Sequence, residues 1–76
     1  MGMNPLKVKR QSLGLTQQQI ADRLNMDIRN LTKYENDKRI FKTNQLLEIQ
    51  KIYCLSNEEL LEYIVYATKI MNKEKE

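Results

Sequence analysis

Histidine is absent from the 76-residue chain and Cys54 is its one cysteine. Neither a catalytic triad nor a tetrahedral zinc site of nitrogen and sulfur ligands can be assembled from it. There is no glycine-rich phosphate loop either. Glu58, Glu59 and Glu62 come nearest to a carboxylate cluster, and they read better as the first turn and outer face of a helix, where negative charge complements the dipole. Neither an enzyme nor a metal or cofactor site is expected. What remains is a supply of hydrogen-bond donors. The stretch MDIRNLTKYENDKR, residues 26–39, sets Arg29, Asn30, Lys33, Lys38 and Arg39 around a few apolar positions. Forks, amides and ammonium groups so concentrated suit an extended anionic partner.

The charge distribution agrees. Residues 1–42 carry nine Lys or Arg against four Asp or Glu, whereas residues 43–76 carry four against six, so the overall +3 arises wholly in the first half. With 41% hydrophobic residues, 30% charged residues, two Gly and one Pro, the chain has the composition of an all-α domain. Its length encloses one small core. One domain is therefore expected over residues 1–76, with a core at about 4–62 and a helical extension at about 63–72. A lone cysteine makes no internal disulfide and fits a reducing cytoplasm; Cys54 is expected as a small buried apolar side chain. No apolar run reaches the ~18 residues of a membrane span, and the start MGMNPLKVK lacks the apolar region of a signal peptide. A cytoplasmic protein with no membrane partner is expected.

Capping signals divide the chain into five helices. Asn4 before Pro5 opens the first, which runs to about Leu13 and stops at Gly14. Thr16 and Gln19 form a capping box for a second helix at about residues 17–24, with Ile20, Ala21 and Leu24 on its apolar face. Asn25 tolerates a left-handed backbone, and Asp27 can cap a third helix beginning at Ile28. Leu31 and Tyr34 fall on the inner face of that helix, leaving Arg29, Asn30, Thr32 and Lys33 outward. Residues 36–43 read as a polar loop. Thr43 can open a fourth helix with Leu46, Leu47, Ile49 and Ile52 inward. Ser56 with Glu59 is a second capping box, opening a fifth helix to about Met71, beyond which NKEKE is expected to fray.

Two helices joined by about three residues, with a small Ala21 at their closest approach and Asn25 at the turn, describe a helix-turn-helix. The stretch GLTQQQIADRLNMDIRNLTKYENDKR resembles the Cro and lambda-repressor type of helix-turn-helix, the xenobiotic-response-element family. The resemblance extends from Leu6 to about Leu61 and includes GLTQ, IA, YEN and SNEELL. It implies a five-helix domain that binds double-stranded DNA, commonly as a dimer on palindromic operators. Four positions depart from the usual pattern: Asn25 and Asp37 stand where Gly is usual, Lys9 where Leu is usual, and Gln50 where a small apolar residue is common. The resemblance further implies a structural ion pair between Arg10 and Glu35 beneath the binding face and a phosphate contact from Gln17.

Physical chemistry assigns the remaining donors. A helix fits the major groove, and the residues near its N-terminus reach base edges. Arg29 presents a fork suited to guanine, Asn30 a donor–acceptor pair suited to adenine, Ile28 an apolar surface for a thymine methyl, and Lys33 a cation for guanine or phosphate. Asn36, Lys38, Arg39 and Lys42 follow directly and are expected on the phosphate backbone. The function expected is that of a transcriptional regulator, a repressor reading a palindrome. The rival reading is a protein-interaction module on the same fold, such as an antitoxin or regulator antagonist; an acidic or apolar outer face on the third helix would favour it.

The fifth helix carries more apolar residues than one face can hold. Leu60, Ile64, Ala67 and Met71 form a stripe at helical spacing that would satisfy packing on the core. Tyr63, Val65, Tyr66 and Ile70 fall outside it and are expected to form the interface of a homodimer, setting two recognition helices one DNA turn, roughly 34 Å, apart.

Overall fold

Four of the five helices start where a side chain supplies a cap. In a computed structural model that describes residues 3–74, five helices follow in order: α1 Pro5–Ser12, α2 Gln17–Arg23, α3 Ile28–Glu35, α4 Thr43–Ile52 and α5 Asn57–Glu74. The side-chain oxygen of Asn4 accepts from the backbone N–H of Leu6 and Lys7, with Pro5 at the first helical position. Thr16 and Gln19 close a reciprocal capping box on α2, Ser56 and Glu59 do the same on α5, and Asp27 accepts from the Arg29 N–H at the start of α3. These bonds satisfy amides that the helices themselves leave unpaired.

The exits rely on left-handed residues. Gly14 ends α1 at φ 70°, and Asn25, Asp37 and Cys54 take φ 56°, 65° and 53° at the ends of α2, α3 and α4. Asn and Asp tolerate this region well. Cys54 does not share that tolerance, and its exposure overturns the expectation of a buried thiol. Its backbone has already turned out of α4, so the side chain has no core to enter.

The core gathers Leu6, Ile20, Ala21, Leu31, Tyr34, Phe41, Leu46, Ile49, Tyr53, Leu55, Tyr63 and Ala67. Ala21 is wholly enclosed, and its carbonyl accepts from the Met26 N–H at 2.9 Å, so α2 and α3 meet where a larger side chain would force them apart. An aromatic column joins the second half: the Tyr34 and Phe41 rings stack at 4.0 Å and 6°, and Tyr63 lies tilted against Phe41 at 6.3 Å.

Two expectations about facing are corrected. Leu47 is exposed, not inward; α4 buries Leu46 and Ile49 with Ile52 beside them. On α5 the buried line is Tyr63 and Ala67, with Leu60 packed alongside, whereas Ile64 and Met71 are exposed. The helix is rotated from the expected stripe because the Tyr63 ring completes the aromatic column and its hydroxyl accepts from the Phe41 N–H. The helix also continues through Asn72 and Lys73 to Glu74; the last two residues of the tail lie outside the described residues.

Beneath α2 and α3 lies a buried ion pair. Arg10 Nε and Nη2 donate to the two Glu35 carboxylate oxygens at 2.7 and 3.0 Å, Nη1 donates to the Leu15 carbonyl at 2.9 Å, and the Gln17 amide adds a third bond to Glu35 at 2.9 Å. The hydrogen bonds to Glu35 raise the Arg10 pKa above its ordinary value, against the opposing effect of burial. Removing the carboxylate strands the guanidinium, so Glu35→Ala is expected to cost on the order of 3–5 kcal/mol in denaturant unfolding; a loss below about 1 kcal/mol would contradict this role.

Two capping carboxylates couple stability to acid. The Arg29 N–H, the largest influence, holds Asp27 below its ordinary pKa of 3.8, and the Lys9 ammonium, bonded at 2.9 Å, does the same for Glu59 below 4.5. A folded pKa depressed below the unfolded one contributes stability above the unfolded value and loses it as pH falls through the folded one. Thermal midpoints should therefore hold between neutrality and about pH 5 and fall below the two ordinary values. Asp27→Asn, which keeps a capping oxygen but cannot titrate, should flatten that fall, and an unchanged acid profile would contradict the assignment.

Candidate nucleic-acid interface

The outward face of α3 begins with Arg29, whose side chain is 87% exposed. Its Nε lies 3.5 Å from Asp27 Oδ1, close enough to bias the side chain toward the helix N-terminus without burying it. Lys33, one turn on, is exposed, and Asn30 and Thr32 are half-buried at its flanks. The Thr32 hydroxyl donates to the Ile28 carbonyl at 2.9 Å, so it offers no free donor proton. Ile28 is half-buried and packs against the core, which leaves only part of its side chain for a thymine methyl. Arg29, Asn30 and Lys33 thus form the polar outer edge of α3, with Ile28 set back from it.

Gln17 stands at the first position of α2, but its side-chain amide is committed to Glu35. What it has left for an outside acceptor is its backbone N–H, one of the amides a helix start leaves unpaired. Because that amide reaches Glu35 in the last turn of α3, the start of α2 and the end of α3 are neighbours.

Beyond α3, Asn36, Lys38, Arg39 and Lys42 are all exposed. The loop that carries them is held from behind. Asp37 turns its carboxylate inward, accepting from the Asn4 amide at 3.0 Å and from the Tyr66 hydroxyl at 2.6 Å, and Asn4 also donates to the Tyr34 carbonyl at 3.1 Å. Burial and this bond to Asp37 push the Tyr66 pKa up to about 12. A negative charge within the basic loop is thereby drawn toward α1 and α5, away from the cations on either side.

Sequence reasoning set the start of α4 correctly at Thr43 but missed how that start is capped. Its N-cap is Lys42, a side chain with no acceptor, and the helix start is closed only by the Lys42 N–H donating to Gln45 Oε1 at 2.9 Å. An open cleft of about 360 Å³ lies beside it, lined by Tyr34, Arg39, Ile40, Lys42, Asn44 and Gln45. Uncapped amides, two cations and two amide side chains make a setting for anionic oxygen. The legible signal was a lysine in a capping position, where Ser, Thr, Asp or Asn would normally serve.

The expected dimer residues separate. Tyr63 is buried in the core, and Tyr66 is half-buried and bonded to Asp37, so neither is free to meet another chain. Ile70 is half-buried and Val65 exposed. The apolar surface α5 does leave open is Leu61, Ile64, Val65 and Met71.

No helix among the described residues is long and apolar enough to cross a membrane, and no group of three or more His, Cys, Asp or Glu among them could hold a metal ion. Residues 6–53 match the helix-turn-helix family. Over 56 residues, 74% of this chain, the sequence is 41% identical to the HTH-type transcriptional regulator ImmR of Bacillus subtilis (strain 168), of which the match covers 44%. The chain therefore spans less than half the length of that relative. No solved structure gives a significant match. With the family match extending across α1 to α4 and the Ala21–Asn25 turn built as that motif requires, the chain belongs to the non-enzymatic helix-turn-helix family of the Cro and lambda-repressor type.

Proposed function

We propose that the chain binds double-stranded DNA sequence-specifically, with α3 in the major groove, and acts as a transcriptional regulator. The observation that carries this reading is the chemistry of the α3 outer face: Arg29 and Lys33 are exposed with Asn30 beside them, on a helix braced from behind by Ala21. A protein-docking face on this helix would need apolar or acidic surface, and the outward residues here are basic or amide-bearing. Arg29 reads guanine and Asn30 adenine, while Lys33 serves guanine or a phosphate. Lys38, Arg39, Lys42 and the start of α4 grip the backbone on one side of the groove, and the Gln17 backbone N–H grips it on the other. The name of the B. subtilis relative, a transcriptional regulator, supports the same reading.

The chain acts as a repressor and binds as a homodimer on a palindrome. A single α3 offers few base contacts, and two related by a two-fold axis, roughly 34 Å apart, double the readout of a short half-site.

Sites selected from a random duplex library supply the cognate sequence for the test. Arg29→Ala should lower affinity for that site by about 1–3 kcal/mol and leave random duplex largely unaffected; equal losses on both would remove Arg29 from base readout. Lys38→Ala should weaken both duplexes together and reduce the slope of log affinity against log salt by about one. An unchanged slope would take Lys38 off the phosphate.

A further inference from the structure

We propose that Tyr66 is a positioning residue for duplex binding: its hydroxyl draws the Asp37 carboxylate toward α5 and so keeps a negative charge out of the path of the phosphates. The inference rests on the DNA reading above. Asp37 is the one acid in the segment from Asn36 to Lys42, which displays the exposed cations Lys38, Arg39 and Lys42. Its backbone closes α3 as a left-handed C-terminal turn: φ is 65°, its N–H donates to the Tyr34 carbonyl at 3.3 Å, and the Lys38 N–H donates to the Lys33 carbonyl at 2.9 Å. Glycine meets that conformation without a side-chain penalty. The backbone therefore gives no reason for a carboxylate at this position. Nor does the loop itself, since among the described residues no lysine or arginine stands within ion-pair distance of Asp37.

The reason lies in where the side chain goes. Tyr66 donates to one carboxylate oxygen at 2.6 Å from 29 positions away, and Asn4 donates to the other at 3.0 Å from 33 positions away. Both donors are uncharged, so the carboxylate is held without consuming a cation, and Lys38 and Arg39 keep their charge for a polyanion. Asn4 has two further tasks, the α1 cap and the Tyr34 carbonyl, whereas the Tyr66 hydroxyl serves Asp37 alone among the described residues. Loss of the Tyr66 bond leaves the carboxylate on a single neutral donor, free to turn toward Lys38 or Arg39 beside it in the chain. An acid paired with a loop cation removes one partner for a phosphate and repels the next.

The experiment measures affinity for a selected duplex and for random duplex across a range of salt, using the full chain, Tyr66→Phe, Asp37→Gly and the two together. Phenylalanine keeps the half-buried ring and removes only the hydroxyl; glycine suits the left-handed backbone and removes the charge. Tyr66→Phe should weaken both duplexes several-fold and equally, because phosphate contacts carry no sequence information, and should lower the slope of log affinity against log salt by up to about one. Asp37→Gly should bind at least as tightly as the full chain, and adding Tyr66→Phe to it should change nothing further. That recovery separates a held charge from a merely ordered loop. A double variant as weak as Tyr66→Phe, or weaker, would make Tyr66 a simple tether and overturn the proposal. Asp37→Asn, uncharged and also tolerant of a left-handed backbone, should rescue Tyr66→Phe in the same way, so that a loop loosened by glycine does not mask the effect; failure of both rescues counts against the held charge. A full chain that binds duplex with Tyr66→Phe unchanged would overturn this inference alone, and a full chain that binds no duplex would overturn the DNA reading and this inference with it.

Discussion

The Glu35 carboxylate is the constraint on which the binding half of the molecule depends. It is 5% exposed and takes three side-chain hydrogen bonds, two from Arg10 of α1 and one from Gln17 of α2, while itself ending α3. One buried group therefore joins three helices. Buried ion pairs often add little net stability, because desolvation offsets the attraction. Their consequence here is geometric. The directional bonds fix where α1 and the start of α2 stand relative to the last turn of α3, and hence how far the Arg29 edge projects. Apolar packing around Ala21 brings α2 and α3 together but leaves their mutual rotation less determined.

A second polar arrangement does the same for the loop after α3. Asn4 caps α1 with its oxygen and uses its amide nitrogen to hold the Tyr34 carbonyl and Asp37; Tyr66 of α5 holds the other Asp37 oxygen. The stacked Tyr34 and Phe41 rings pin the two ends of the segment between them. The cations of the loop are thus displayed from a backbone fastened at both ends and at Asp37. Ordering such a segment before it meets a polyanion lowers the entropy cost of binding.

Element boundaries were legible because caps are local: Asn4–Pro5, Thr16–Gln19, Asp27 and Ser56–Glu59 act on amides within a few residues of themselves. The left-handed Asn25 and Asp37 were legible for the same reason. The departures at Lys9 and Gln50 became intelligible only in three dimensions. Lys9 bridges α1 to Glu59 of α5 at 2.9 Å, and the Gln50 amide holds the α4–α5 turn through the Leu55 carbonyl and Asn57. The rotation of α5 was not legible, because helical spacing admits more than one apolar face on so apolar a helix, and the choice lay with the Phe41–Tyr63 contact from 22 residues away. The commitment of the Gln17 amide to Glu35 is likewise a long-range fact, as is the cleft at the start of α4. The outer face of α3 itself was visible in sequence, since facing follows from the three-residue spacing of Leu31 and Tyr34.

The central claim is that Arg29, Asn30 and Lys33, flanked by the loop after α3 and the start of α4, form the surface that meets a duplex. Its most direct test is a titration of the isotope-labelled chain with a selected duplex, followed residue by residue through backbone amide resonances. Shifts concentrated at Gln17, residues 28–33, residues 36–42 and the first turn of α4 are expected. A pattern centred elsewhere, such as the outward face of α5, or the absence of any change on α3, would contradict it.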